Sequence, residues 1–153
     1  MIPLWLKVFV ISILPISELR GSIPFGLANS LPIWQTWIIS IIGNFLPVPF
    51  ILLFLNPVEK FFRKWKFFDK IIDKVFEYTR RKTRKSIEKW ESLALILFVA
   101  VPLPVTGAWT GSLAAYLFGL DFKKSLLCIF IGVLIASIIV IIATIEGIKF
   151  LSG

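Results

Sequence analysis

The stretch ISELRGSIPFG, Ile16–Gly26, sets Glu18 and Arg20 one residue apart in a region where Lys7 is the only other formal charge before residue 57. Gly21, Pro24 and Gly26 follow at once. Ionisable groups facing hydrocarbon are costly, and where they persist they face protein, water or one another. Proline withholds an amide donor and constrains the residue before it, whereas glycine permits a turn without a side-chain clash. The stretch therefore predicts a helix broken near Pro15 and Pro24, with its charges at the tip of a hairpin.

The surrounding composition places that hairpin in a membrane. Hydrophobic residues make up 58% of the 153, above the roughly 45–50% of a soluble domain. The tracts at 34–55 and 125–145 approach the roughly 20 residues that cross about 30 Å of hydrocarbon. The N-terminus lacks the positive flank and the clean cleavage site of a secretory signal. Cys128, the single cysteine, lies in an apolar tract and offers no disulfide framework, so it reads as a lipid-facing or packing residue. With no histidine present, a transition-metal site is not expected, and no cofactor is assigned.

The net charge of +8 is concentrated in one connection: residues 56–92 hold twelve Lys or Arg against six acids. Under the positive-inside bias this segment is cytoplasmic. Within it Phe61, Trp65, Phe68, Ile72 and Val75 recur at three- or four-residue steps, a stripe that suits a helix lying among anionic headgroups or packing against the ends of the spans. The run TRRKTRK, Thr79–Lys85, reads as a solvated charge run or lipid contact, since no nucleic-acid-binding motif accompanies it.

Read end to end, the chain repeats one order of elements. A broken hairpin at 2–33 precedes a span at 34–55; after the connection at 56–92, a second broken hairpin at 93–120 precedes a span at 125–145. Setting Gly21 against Gly107 aligns Leu27-Ala28 with Leu113-Ala114. The arms at 2–15 and 93–101 reach only about 20 and 14 Å as helices, too short to span. The expected fold is thus a single all-α integral membrane domain, 1–153, of two inverted halves, each a re-entrant Pro/Gly-broken helical hairpin followed by a transmembrane helix. The competing arrangement, four full crossings, puts Lys123 and Lys124 outside, against the charge bias.

Backbone broken at membrane depth must be lined by protein or water. In the first break Pro15, Gly21, Pro24 and Gly26 surround the charges. In the second, VPLPVTGAWTGS, the corresponding positions are Pro102, Pro104, Thr106, Gly107 and Gly111. Glu18 and Arg20 have two readings: cation or proton exchange with Arg20 orienting the acid or an anionic group, or a lock that merely fixes the turn. Trp109 is either a ligand-stacking surface or an interfacial anchor. Thr110, Asn29 and Asn44 are candidate solute contacts, with inter-helix hydrogen bonding as the plainer role for the two asparagines. Without histidine or a cysteine pair no nucleophile–base set appears, so an enzyme is not expected. No ATP-binding P-loop exists either, which leaves an ion gradient to drive any active transport.

The pair ELRGSIPFG and PLPVTGAWTGSLAAYLFG, separated by a basic connection and each followed by a long span, resembles the small multi-drug export protein family across essentially the whole chain. That resemblance implies export of small molecules from the cell membrane by a multi-pass protein. It carries functional weight onto Glu18, Arg20, Gly21, Pro24 and Gly26, and onto Pro102, Pro104, Thr106, Gly107 and Gly111. The opposed hairpins also resemble, more distantly, the DedA-like membrane proteins, which implies lipid translocation or scrambling as an alternative. The second break lacks the arginine of that pattern. A structural membrane subunit is the third reading. Expected partners are membrane lipids, a small organic solute or lipid, protons and a second copy of the chain in a homodimer, and not nucleic acid.

Overall fold

In the computed structural model the described residues are 2–62, 87–103 and 106–152, and every regular element among them is an α-helix. Pro104 and the connection from Arg63 to Ser86, with the stripe at Trp65–Val75 and the basic run at 79–85, lie outside the described residues. The helices are α1 (Leu4–Ile13), α2 (Glu18–Ala28), α3 (Ile33–Phe45), α4 (Pro47–Phe62), α5 (Ile87–Ala100), α6 (Ala108–Leu117) and α7 (Phe122–Ser152).

Among the described residues, two apolar runs are long enough to cross a membrane. Leu46 keeps helical angles, φ −53° and ψ −46°, so α3 and α4 join through Ile33–Leu55, 23 residues of mean hydropathy 2.4. Pro47 lies at the join and starts α4; with no N–H it leaves the Gly43 carbonyl without its helical donor, which divides the run into two helices. The second run, Phe122–Phe150, has 29 residues and mean hydropathy 3.3; at 1.5 Å per residue it is about 43 Å long, more than the roughly 30 Å of a bilayer's hydrocarbon. Lys123 and Lys124 stand in its first turn, and an exposed Lys149–Glu146 pair at 2.9 Å stands near its end. Large apolar side chains point outward along both runs, among them Trp34, Ile42, Phe54, Leu127, Ile138 and Ile142.

Inside, α1 packs on α3 and α5 packs on α7. At each crossing a glycine lets the backbones approach. A Cβ on Gly43 would lie 3.0 Å from the Phe9 carbonyl oxygen, and one on Gly132 would lie 3.0 Å from that of Ile96. The second arms cross over: α2 packs on α7 as well as α3, and α6 packs on α4 as well as α7. The core between them includes Ile23, Val48, Leu95, Val99, Ile129 and Val133. Cys128 is buried in this core as a free thiol, which settles its role as packing.

Polar links tie the long helices together. Trp37 Nε1 on α3 donates to Ser137 Oγ on α7 at 2.8 Å, and Phe45 meets Phe130 edge-on with ring centroids 5.2 Å apart. Ser22 Oγ on α2 donates to Ser40 Oγ on α3 at 2.8 Å, both residues fully buried.

Candidate functional site

The first break occupies Leu14–Ser17. Leu14 precedes Pro15 and is driven to extended angles, φ −67° and ψ 135°, as the proline ring requires of its predecessor. The chain then closes a turn in which the Glu18 N–H donates to the Leu14 carbonyl at 3.0 Å. Glu18 itself sits in the left-handed region with φ 46°, a conformation that costs a non-glycine residue on the order of 1–3 kcal/mol and persists only when its surroundings fix it. The helix starts at Glu18, so Glu18 and Arg20 stand in the first turn of α2 and Pro24 falls inside it.

What fixes Glu18 comes from the other half of the chain. Helix α6 begins at Ala108 after Gly107, which supplies no capping side chain. Its first amides would be orphaned in an apolar interior. Glu18 Oε1 accepts the Trp109 N–H at 3.4 Å, with the Ala108 N–H a further donor to the same carboxylate. The carboxylate thus caps α6 from another segment, at the end where the helix dipole favours negative charge. Gly107 makes room: a Cβ there would lie 2.7 Å from Glu18 Oε1 and closer still to Oε2.

Arg20 also reaches across. Its Nη2 donates to the Thr106 carbonyl oxygen and, at 2.9 Å, to Thr106 Oγ1. The Thr106 hydroxyl holds its own loop, 2.7 Å from the Val101 carbonyl oxygen and 3.2 Å from the Leu103 amide nitrogen, which donates to it. In return, Trp109 Nε1 donates to the carbonyl of Ile13 at 3.0 Å, satisfying one of the last carbonyls of α1. Glu18 and Arg20 therefore spend their hydrogen bonds on the second break rather than on each other.

Two cavities flank this junction. The inner one, about 10 Å³, is lined by Glu18, Arg20 and Asn44 together with Pro102, Gly107 and apolar side chains of α5 and α7. Glu18 is 6% exposed and Asn44 1% exposed. The outer one, about 300 Å³ and open to the surroundings, is an apolar groove lined by Ile13, Leu46, Pro47, Phe50, Phe54 and Trp109, with Ile51. Trp109 lines the groove, and its backbone N–H meets the carboxylate of Glu18, which lines the inner cavity.

The structure thus brings Glu18, Arg20, Thr106, Gly107 and Trp109 together, with Asn44 on the shared inner cavity. Pro15 marks the turn before them. Gly21, Gly26 and Gly111 sit at helix contacts instead: a Cβ on them would meet Ser17, Thr36 and Val99 respectively. Thr110 Oγ1 lies 3.5 Å from the Gly107 carbonyl oxygen within its own helix turn. Asn29 is exposed and bonds the Phe25 carbonyl at the end of α2, so it joins neither cavity. Sequence reasoning missed the role of the Ala108 and Trp109 amides and the Ile13 carbonyl. The available signal was the start of α6 itself, where TGAWT offers no acidic cap of its own.

A family model described as "Putative small multi-drug export protein" matches residues 18–139. Its first matched residue is Glu18, immediately after the first break, and the match includes the second break and the second long helix as far as Ile139. No curated protein and no solved structure matches the chain.

Proposed function

Because the chain belongs to the small multi-drug export family, we propose that it carries small apolar organic solutes out across the cell membrane as a multi-pass protein, with proton movement through Glu18 driving the cycle. The observation that carries this reading is the position of Trp109. One face of the residue borders an open apolar groove of about 300 Å³, a size within the range of small-molecule sites, and its backbone bonds the buried carboxylate. A solute pressing on the indole and a proton arriving at Glu18 act on the same residue. Coupling between two ligands needs such a shared element with two arrangements.

Two inverted halves, each with a re-entrant hairpin, are part of the same reading. The first arms α1 and α5 have 10 and 14 residues, about 15 and 21 Å, the second longer than the arm expected at 93–101 and both short of the roughly 30 Å of hydrocarbon. The paired crossings at Gly43 on Phe9 and Gly132 on Ile96 support equivalent halves. So does the exchange of α2 onto α7 and α6 onto α4. Broken helices meeting near the midplane of such repeats are where transporters hold substrate and ion. A homodimer would cover the first break, where Ile16 is 94% exposed.

The groove also favours a second reading, lipid translocation, because an acyl chain suits walls that are apolar throughout. Reconstitution separates the two. Proteoliposomes with an imposed pH gradient are expected to move hydrophobic dyes several-fold faster than under zero gradient. Equal movement of labelled lipid headgroups with and without the gradient, and no dye flux, would replace export by scrambling.

Topology gives an independent check. Residues 56–92 and Lys123-Lys124 are expected on the cytoplasmic side. In a Cys128→Ser background, Val75→Cys and Lys123→Cys should therefore react with impermeant thiol reagent from the same face. Labelling from opposite faces would support four full crossings instead.

A further inference from the structure

We infer that the inner cavity is the binding site of a single water molecule that links Glu18 to Asn44, making Asn44 a positioning residue for the carboxyl group. Asn44 lies on α3, within an apolar run, at 1% exposure, and its Oδ1 has no hydrogen-bond partner among the described residues. Buried polar atoms are rarely left so. The same residue lines the cavity that Glu18 and Arg20 also line. Cavity and orphan acceptor are separate observations, and they coincide.

The polar lining specifies the guest. Asn44 Oδ1 needs a donor, the Glu18 carboxylate accepts, and Arg20 keeps N–H donors beyond the Nη2 bonds to Thr106. A guest that donates twice and accepts once meets all three. Water does so, and needs two to four such partners to be held. An ammonium or metal cation accepts nothing from a guanidinium and is repelled by it. The volume, about 10 Å³, is near the lower limit for one water. Leu19, Val99, Ala108, Val133, Ala136 and Val140 close the remaining walls, so nothing larger fits.

The water site stands on this lining alone. Only the consequence that Asn44 and the water orient the proton on Glu18 rests on the transport reading above. On that reading, the water is the first acceptor or donor for the carboxyl proton, and Asn44 fixes its direction.

The test begins with the structure of the wild-type protein in lipid at a resolution that shows ordered water. A peak within hydrogen-bonding distance of both Asn44 and Glu18 is expected. An empty cavity, an Asn44 amide turned onto a protein partner, or the short and numerous contacts of a bound cation would overturn the proposal. Infrared difference spectra across a pH titration, taken in ordinary and oxygen-18 water, then read the coupling to Glu18. An isotope-shifted O–H band is expected in the wild type and in Asn44→Ser, which keeps an acceptor, and its loss in Asn44→Leu. Persistence of the band in a folded Asn44→Leu protein would remove Asn44 as the positioning residue. If that variant does not fold, Asn44→Val, nearer asparagine in volume, takes its place, and persistence of the band there has the same effect. A resolved water with no band in the wild type would leave the site and remove the proton pathway, so the two readings fail separately.

Discussion

Replacing Glu18 by Gln is expected to cut gradient-driven solute flux in proteoliposomes by about a hundredfold or more, the scale on which a lost proton-transfer group is felt. Glutamine retains the carbonyl oxygen that accepts the Trp109 N–H, so α6 stays capped. The lost attraction between a carboxylate and a helix N-terminus is worth up to about 2 kcal/mol at a buried site, and the protein should remain folded and bind solute. Arg20→Lys should be milder than Arg20→Met, because both Thr106 contacts leave from one nitrogen, Nη2, and do not draw on the planar fork that distinguishes arginine. Flux and solute binding are read by dye accumulation and equilibrium dialysis on the same preparation. Wild-type flux in the Gln variant would leave Glu18 as a structural cap alone.

Gly107→Ala is expected to be the most destabilising single methyl addition at the site. The new Cβ would overlap the Glu18 carboxylate, and that group cannot retreat without releasing the amides at the start of α6. Overpacking of this kind costs about 1–3 kcal/mol and a lost cap about 1 more, hence roughly 2–4 kcal/mol in a denaturation series. The diagnosis is a double-mutant cycle. In a Glu18→Ala background the collision disappears, so adding Gly107→Ala should cost a fraction of its value in the wild type. Additive costs would show that the strain lies in the Gly107 backbone and not against Glu18.

Part of this arrangement was legible in the sequence and part was not. Glu18 and Arg20 stood out because charges are rare in apolar surroundings, and Pro15 placed the first break because its effect on Leu14 is local. The two long apolar runs followed from composition in the same way. The partners of the charges did not follow. Periodicity records which face of a helix is buried, but not that Glu18 meets an amide 91 residues away or Arg20 a carbonyl 86 residues away. Pro24 suggested a second edge to the break, yet α2 continues through it; the forfeited bond and the crowding of the Arg20 carbonyl by the proline ring, together about 3 kcal/mol, are offset by tertiary contacts. Asn44 looked like an inter-helix tether; only its placement beside the carboxylate, with an unpaired oxygen, distinguishes it from Ser22 and Ser40, which pair with each other.

The capping of α6 by a residue of the first half also imposes an order on biosynthesis. Glu18 leaves the ribosome 91 residues before Trp109, which at roughly 5–20 residues per second is a delay of about 5–18 s. Throughout that interval the Glu18 carboxylate, the Arg20 guanidinium and the Ile13 carbonyl lack the groups that will satisfy them, while the apolar run Ile33–Leu55 is already available to lipid. With the hairpin at membrane depth, as proposed above, the nascent first half would wait with its tip hydrated or sheltered by the insertion machinery until the TGAWT segment emerges to close it.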